Sequence, residues 1–149
     1  MQGTGTDTVC VAETSAKRAP PRTVAEIMTA PALIAAPATT VGDARLLQRR
    51  SRIRHLPVLQ DGLLVGIVSD RDLRGARDDS AAVADVMTLT VFVLSPETSL
   101  RQAARIFRER RFDAMPVLSG RELVGMVSLV DVARALEERL RVDRPAGSC

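Results

Sequence analysis

A chain of 149 residues can hold one domain or two small ones, and a 46% hydrophobic share, almost all of it aliphatic, allows a real core. The formal charge of +3 is modest and acids are interspersed with the 21 basic residues, so a nucleic-acid partner is not indicated; no run approaches the roughly 18 apolar residues of a membrane span. Phe92, Phe107 and Phe112 are the only aromatics, a poor provision for stacking on bases; every basic residue but Lys17 is Arg, which fits a GC-rich codon bias and a bacterial protein, and the lack of a membrane span and of a signal-peptide core in residues 1–22 leads to the expectation that it is cytoplasmic.

Residues 1–22 are rich in Thr, Ser, Pro and Gly without an apolar core of signal-peptide length and read as a disordered tail. Cys10 lies in this tail and Cys149 in a second one, 141–149; they are too few and too peripheral for a disulfide framework or a metal site, leaving at most a free thiol. A short helical turn is predicted at Val24–Met28, then an extended stretch ALIAA stopped by Pro37, then a helix capped by Thr39 or Thr40. A strand HLPVL follows, with Pro57 at its start, where a missing N–H is tolerated. Asp61-Gly62 turns it into LLVGIVS. Ser69-x-x-Asp72 then opens a helix running through Leu73, as a capping box in which hydroxyl and carboxylate satisfy orphan N–H groups.

After the polar stretch GARDDSAA the same order recurs. A turn at Val83–Met87 leads to VFVLS, Pro96 and a cap at Thr98 or Ser99. Leu100, Ala103, Ala104 and Phe107 then stand at i, i+3, i+4 and i+7 of a helix whose other face carries Arg101, Arg105 and Arg108, read as solvated surface rather than a binding patch. AMPVL, a turn at Gly120-Arg121 and ELVGMVS make a second hairpin, and Ser128-x-x-Asp131 opens a helix through Val132 and Leu136. The two copies run in one frame at a constant offset of 59 residues, from Val24 and Val83 onward, so the duplication is a unit of fold. The organisation read from this is a tail (1–22), a first repeat (23–76), a linker (77–82), a second repeat (83–140) and a tail (141–149).

Each unit, strand-helix-strand-strand-helix, is α+β with an α/β-like order and is too small to bury both faces of its sheet, so two must pack together. The met-thr start, capped helix, h-x-P-V strand and G-h-x-[ST]-x-x-D ending, duplicated in frame over about residues 23–139, resemble a tandem pair of cystathionine-β-synthase (CBS) domains, the Bateman module. The resemblance implies two repeats packed sheet to sheet about a pseudo-twofold axis. It also implies adenosine ligands such as AMP, ADP, ATP, NAD or S-adenosylmethionine bound in the clefts between them, and pairing of modules into a homodimer.

By the same resemblance Asp72 and Asp131 accept hydrogen bonds from ribose hydroxyls, a task suited to an ionised carboxylate, which is all acceptor. Ser69 and Ser128 sit at helix N-termini, where N–H groups and the dipole favour an anion, so cap and phosphate site are compatible. Gly66 and Gly125 would lack side chains where the ligand approaches, and Ile67 or Met126 would offer adenine an apolar wall. Arg54 and His55 stand where related modules direct basic side chains to phosphates, and Arg71 lies inside the first Ser-x-x-Asp start; the second copy has Asp113, Ala114 and Val130 there. On these grounds the Asp72 site is ranked above the Asp131 site for phosphate-bearing ligands. His55 can equally be a strand-edge residue without a ligand.

Arg45 and Gln48 align with Ala104 and Phe107, so the first helix lacks two apolar positions. Either it lies differently, or Arg45 lays its stem along the core edge and keeps its head in water. There is no Cys-His or Ser-His-Asp set in one folded unit, no Gly-x-x-x-x-Gly-Lys loop and no metal-ligand spacing, and Asp78 and Asp79 lie in the polar linker, so no enzyme and no cofactor is indicated. The expectation is a stand-alone regulatory pair that binds an adenosine ligand and signals to an unidentified partner protein; the alternative is a dimerisation or docking module with vestigial nucleotide sites.

Overall fold

The computed structural model describes residues 19–144; Cys10, Cys149 and most of both tails lie outside them. The element order is a 3₁₀ turn (Val24–Glu26), α1 (Val41–Ser51), β1 (His55–Gln60), β2 (Leu63–Ser69) and α2 (Asp70–Arg74). A second 3₁₀ turn (Val83–Asp85), α3 (Leu100–Arg110), β3 (Ala114–Ser119), β4 (Glu122–Ser128) and α4 (Leu129–Val142) complete the chain.

Local chemistry accounts for most boundaries. Of the two cap candidates in each copy, Thr40 and Ser99 cap the helices, their hydroxyls accepting from Asp43 N at 3.1 Å and Gln102 N at 3.2 Å. Both helices stop at an arginine in the left-handed region, Arg52 (φ 54°) and Arg111 (φ 57°). The hairpin loops have two residues each. Asp61 and Gly62 both take positive φ, as a type I′ turn requires, whereas in the second copy Gly120 takes it first, in the manner of type II′.

Two expectations need correction. ALIAA and VFVLS do not form strands; each contributes one parallel bridge, Ala35 beside Val58 and Leu94 beside Val117. Pro57 is the third residue of β1, not its first, and pairs with Ile67. It is tolerated inside the strand because its backbone edge faces residue 35, where pairing is sparse. Ala35 N donates to Pro57 O at 3.0 Å, and the reciprocal bond comes from Leu59 N, at 2.9 Å, so a proline N–H is not needed.

The repeats complete one another by exchange. Thr29 of the first pairs antiparallel with Met126 on β4, through bonds of 2.8 and 3.0 Å, and Thr88 of the second pairs with Ile67 on β2, with the same two lengths. The 3₁₀ turns follow: Val24 N donates to Thr98 O and Val83 N to Thr39 O. Val24 is therefore buried in the core of Phe107, Met115, Val117 and Val127, and Val83 in that of Leu56, Val58, Val68 and Leu73. β2 meets β4 between the repeats, and the duplicated bonds give the pair its pseudo-twofold symmetry.

The first core differs where Arg45 and Gln48 replace apolar residues. Gln48 is buried and its side-chain amide donates to Arg54 O at 3.1 Å. The Arg45 guanidinium does not stay in water. It pairs with Asp79 and donates to the carbonyls of Leu73 and, at 3.2 Å, Ala76, satisfying groups at the C-terminal end of α2.

Gly66 and Gly125 are held to glycine by this exchange. A Cβ on Gly125 would stand 2.8 Å from Met28 Sδ and 2.9 Å from Thr29 O; one on Gly66 would stand 2.6 Å from Met87 Sδ. Gly125→Ala should therefore destabilise the chain by about 1–3 kcal/mol, as overpacking does, read as a lower denaturant midpoint. An unchanged midpoint would show that the exchanged segment yields without cost.

Candidate functional site

Two clefts open between the repeats, and each draws on both. The larger, about 550 Å³, takes Met126, Ser128 and Asp131 from the second repeat and Thr29, Arg54 and His55 from the first. The smaller, about 200 Å³, takes Ile67, Ser69 and Asp72 from the first repeat and Phe92, Phe112 and Asp113 from the second. His55, Asp113 and Ala114 border both.

The capping boxes are built as their spacing indicates. Ser69 Oγ accepts from Asp72 N at 3.1 Å while Ser69 N donates to Asp72 Oδ2 at 2.9 Å; in the second copy the corresponding distances are both 3.1 Å. Ser128 Oγ also donates to Asp131 Oδ2 at 2.6 Å. Both acids are half-buried, and in each the box engages only Oδ2, leaving Oδ1 without a protein hydrogen bond among the described residues. A carboxylate fixed through one oxygen and open at the other is an oriented acceptor for a hydroxyl pair. The helices behind them differ: α4 has 14 residues and a full dipole, whereas α2 has 5.

This geometry regroups the predicted site residues. Arg54, read from sequence as a partner of Asp72, lies on the Asp131 cleft with Arg52 beside it, while His55 borders both clefts. Asp113 borders both clefts, so what sets the Asp131 cleft apart is Arg52 and Arg54, which the Asp72 cleft lacks. Arg71 is exposed on α2 and borders neither cleft. Gly66 and Gly125 face Met87 and Met28 rather than the clefts. Ile67 and Met126 do line one cleft each.

Thr29, Arg52, Phe92 and Phe112 were not singled out by the sequence. The in-frame pair Thr29 and Thr88 was its one available signal. Two of the three aromatics border the Asp72 cleft, with ring centroids 5.4 Å apart and Arg110 stacked 4.8 Å above Phe92. Among the described residues no group of three or more His, Cys, Asp and Glu is placed to hold a metal ion, and no helix is long and apolar enough to cross a membrane.

Two duplicated α+β units, joined through exchanged bridges and open at two clefts with oriented carboxylates, define a tandem repeat pair. The CBS-domain model matches residues 24–79 and 83–138, and the chain belongs to the CBS-domain family. It is 36% identical over 116 residues to the inosine-5'-monophosphate dehydrogenase of Korarchaeum cryptofilum, a match covering 71% of this chain and 24% of that enzyme. The chain thus spans about a quarter of the length of that relative. Among solved structures, CBSX2 in complex with AMP superposes with a TM-score of 0.72 at 31% identity, covering 83% of this chain and 100% of that one. The CBS-domain containing protein ATU1752 from Agrobacterium tumefaciens superposes with a TM-score of 0.69 at 25% identity, over 76% and 98% of the two chains.

Burial holds the His55 pKa below its ordinary 6.5, outweighing the carboxylates of Asp113, Asp70 and Asp72, which raise it; Arg54 lowers it further. The unfolded chain then binds more protons than the folded one between the two pKa values. The neutral imidazole's contribution is complete above the unfolded value of about 6.5 and is lost as pH falls through the folded one. His55→Gln should flatten the fall in stability as pH drops below about 7, measured by urea melts; a parent-like slope in the variant would assign the dependence elsewhere.

Proposed function

We propose that this chain is a regulatory CBS pair whose Asp131 cleft binds an adenosine ligand carrying phosphate, and that the bound state is read by a partner protein. One observation carries the reading: a carboxylate with a free, oriented Oδ1, the N-terminus of a long helix, and Arg54 and His55 from the other repeat border a single cleft of about 550 Å³. In this reading Asp131 holds the ribose, Met126 and Leu33 give the base an apolar wall, and Ser128, Arg54 and His55 meet the phosphate. The AMP complex of CBSX2 supports the ligand class.

Because each repeat supplies part of the wall, a ligand that touches both favours one relative arrangement of the two. Its power to signal is the difference in its affinity for that arrangement and the alternative. The same reading includes a homodimer, supported by exposed apolar residues such as Leu140 and Val142 near the end of α4. A monomeric mass by light scattering at micromolar concentration would count against that part.

A thermal-shift panel of AMP, ADP, ATP, NAD and S-adenosylmethionine tests the rest. A true ligand at one hundred times its Kd should stabilise by about 2.7 kcal/mol. Asp131→Ala should weaken a phosphate-bearing ligand about 10- to 100-fold by calorimetry, and Asp72→Ala less. Melting of each unliganded variant separates loss of the cap from loss of the site. No shift with any ligand would leave a docking or dimerisation module with vestigial sites.

A further inference from the structure

Outside the Asp131 cleft, between the end of α1 and the start of α2, lies a groove of about 360 Å³ bordered by Arg45, Arg49, Arg54 and Arg74, with Gln48 and Asp70. Four guanidiniums thus face one carboxylate. Arg45 is committed to Asp79 and to the carbonyls of Leu73 and Ala76, and Arg74 makes a surface contact of 3.4 Å with Asp70, a weak pair. Arg49 and Arg54 have no ion-pair partner among the described residues. The groove therefore keeps a standing positive field open to solvent.

Two further observations give the groove a purpose. It shares Arg54 and Ile53 with the Asp131 cleft, so the two cavities meet along that edge. It is also a place where the repeats differ: Arg45, Gln48, Arg54, Asp70 and Arg74 correspond to Ala104, Phe107, Asp113, Leu129 and Ala133. Arg49 keeps its charge in the second copy as Arg108, but the other three arginines give way there to two alanines and an acid, so the duplicated fold does not need a groove this basic at that place. The basic groove stands beside the cleft that Arg52 and Arg54 border.

We infer that this groove is a polyphosphate subsite continuing the Asp131 cleft, which makes the module selective for adenine nucleotides with two or three phosphates over the monophosphate. The inference rests on the adenosine reading of that cleft. Arg54, common to both cavities, takes the first phosphate, and Arg49 and Arg74 take those beyond it. Arginine suits the task because its planar fork binds phosphate oxygens two at a time and keeps its charge at any physiological pH.

Calorimetry of adenosine, AMP, ADP, ATP and inorganic tripolyphosphate on the parent and on the double variant Arg49→Ala/Arg74→Ala tests this. The parent should bind ATP at least about 10-fold more tightly than AMP; in the variant that ratio should collapse toward one, with AMP affinity unchanged. Arg101→Ala/Arg105→Ala on α3, which removes the same charge from an exposed stripe, should keep the parent's ratio. Equal affinity for ATP and AMP in the parent, a retained ratio in the double variant, or the same loss in the α3 control would each overturn the subsite. Failure of adenosine and AMP to bind the parent would instead sink the cleft reading. In that event tripolyphosphate binding that disappears in the double variant upholds the groove as a polyphosphate site, and its absence or persistence overturns it.

Discussion

Neither repeat of this chain can close its own sheet. β1–β2 and β3–β4 are two-stranded hairpins, and such a hairpin is marginal in water without a further strand or a covering layer. The missing edge comes from the other repeat, as the Thr29–Met126 and Thr88–Ile67 bridges, with Met28 and Met87 packed onto glycines that leave no room for a Cβ. Folding of one core therefore requires Val24 or Val83 from the other. The clefts are what this exchange leaves open between the sheets.

Crossed construction also explains why the clefts differ so much in character. Each takes its carboxylate and helix cap from one repeat and its opposite wall from the other. A change at one aligned position thus alters the cleft whose acid lies in the other copy. Arg54 corresponds to Asp113: the arginine borders the Asp131 cleft and not the Asp72 cleft, whereas Asp113 borders both. Helix length adds to the contrast, since the N-terminal field of α4 has no counterpart of equal strength in the short α2.

Much of this was legible in the sequence. The in-frame repeat, the helix caps, the hairpin turns and both capping boxes are local devices whose residues carry their own chemistry, and Ser69, Asp72, Ser128 and Asp131 sit in the geometry their spacing implies. What was not legible is tertiary. A linear reading groups Arg54 with Asp72 because they share a repeat, and only the exchange moves Arg54 across to Asp131. A glycine against a methionine from the other repeat looks the same in sequence as a glycine cleared for a ligand. Arg45 was open to two readings because its partners, Asp79 and the carbonyls of Leu73 and Ala76, are on another element.

The bordering position of His55 ties the clefts together. It stands at the start of β1, opposite Ser69 in the ladder, with Asp113 of the second repeat close by, and it forms part of both walls. Burial keeps it toward the neutral form, so an anion settling on the Arg54 side would favour its protonation, and the charge so placed would also be felt by Asp72 and Asp113. A charge placed on one side of that shared group is felt on the other, and such coupling is reciprocal.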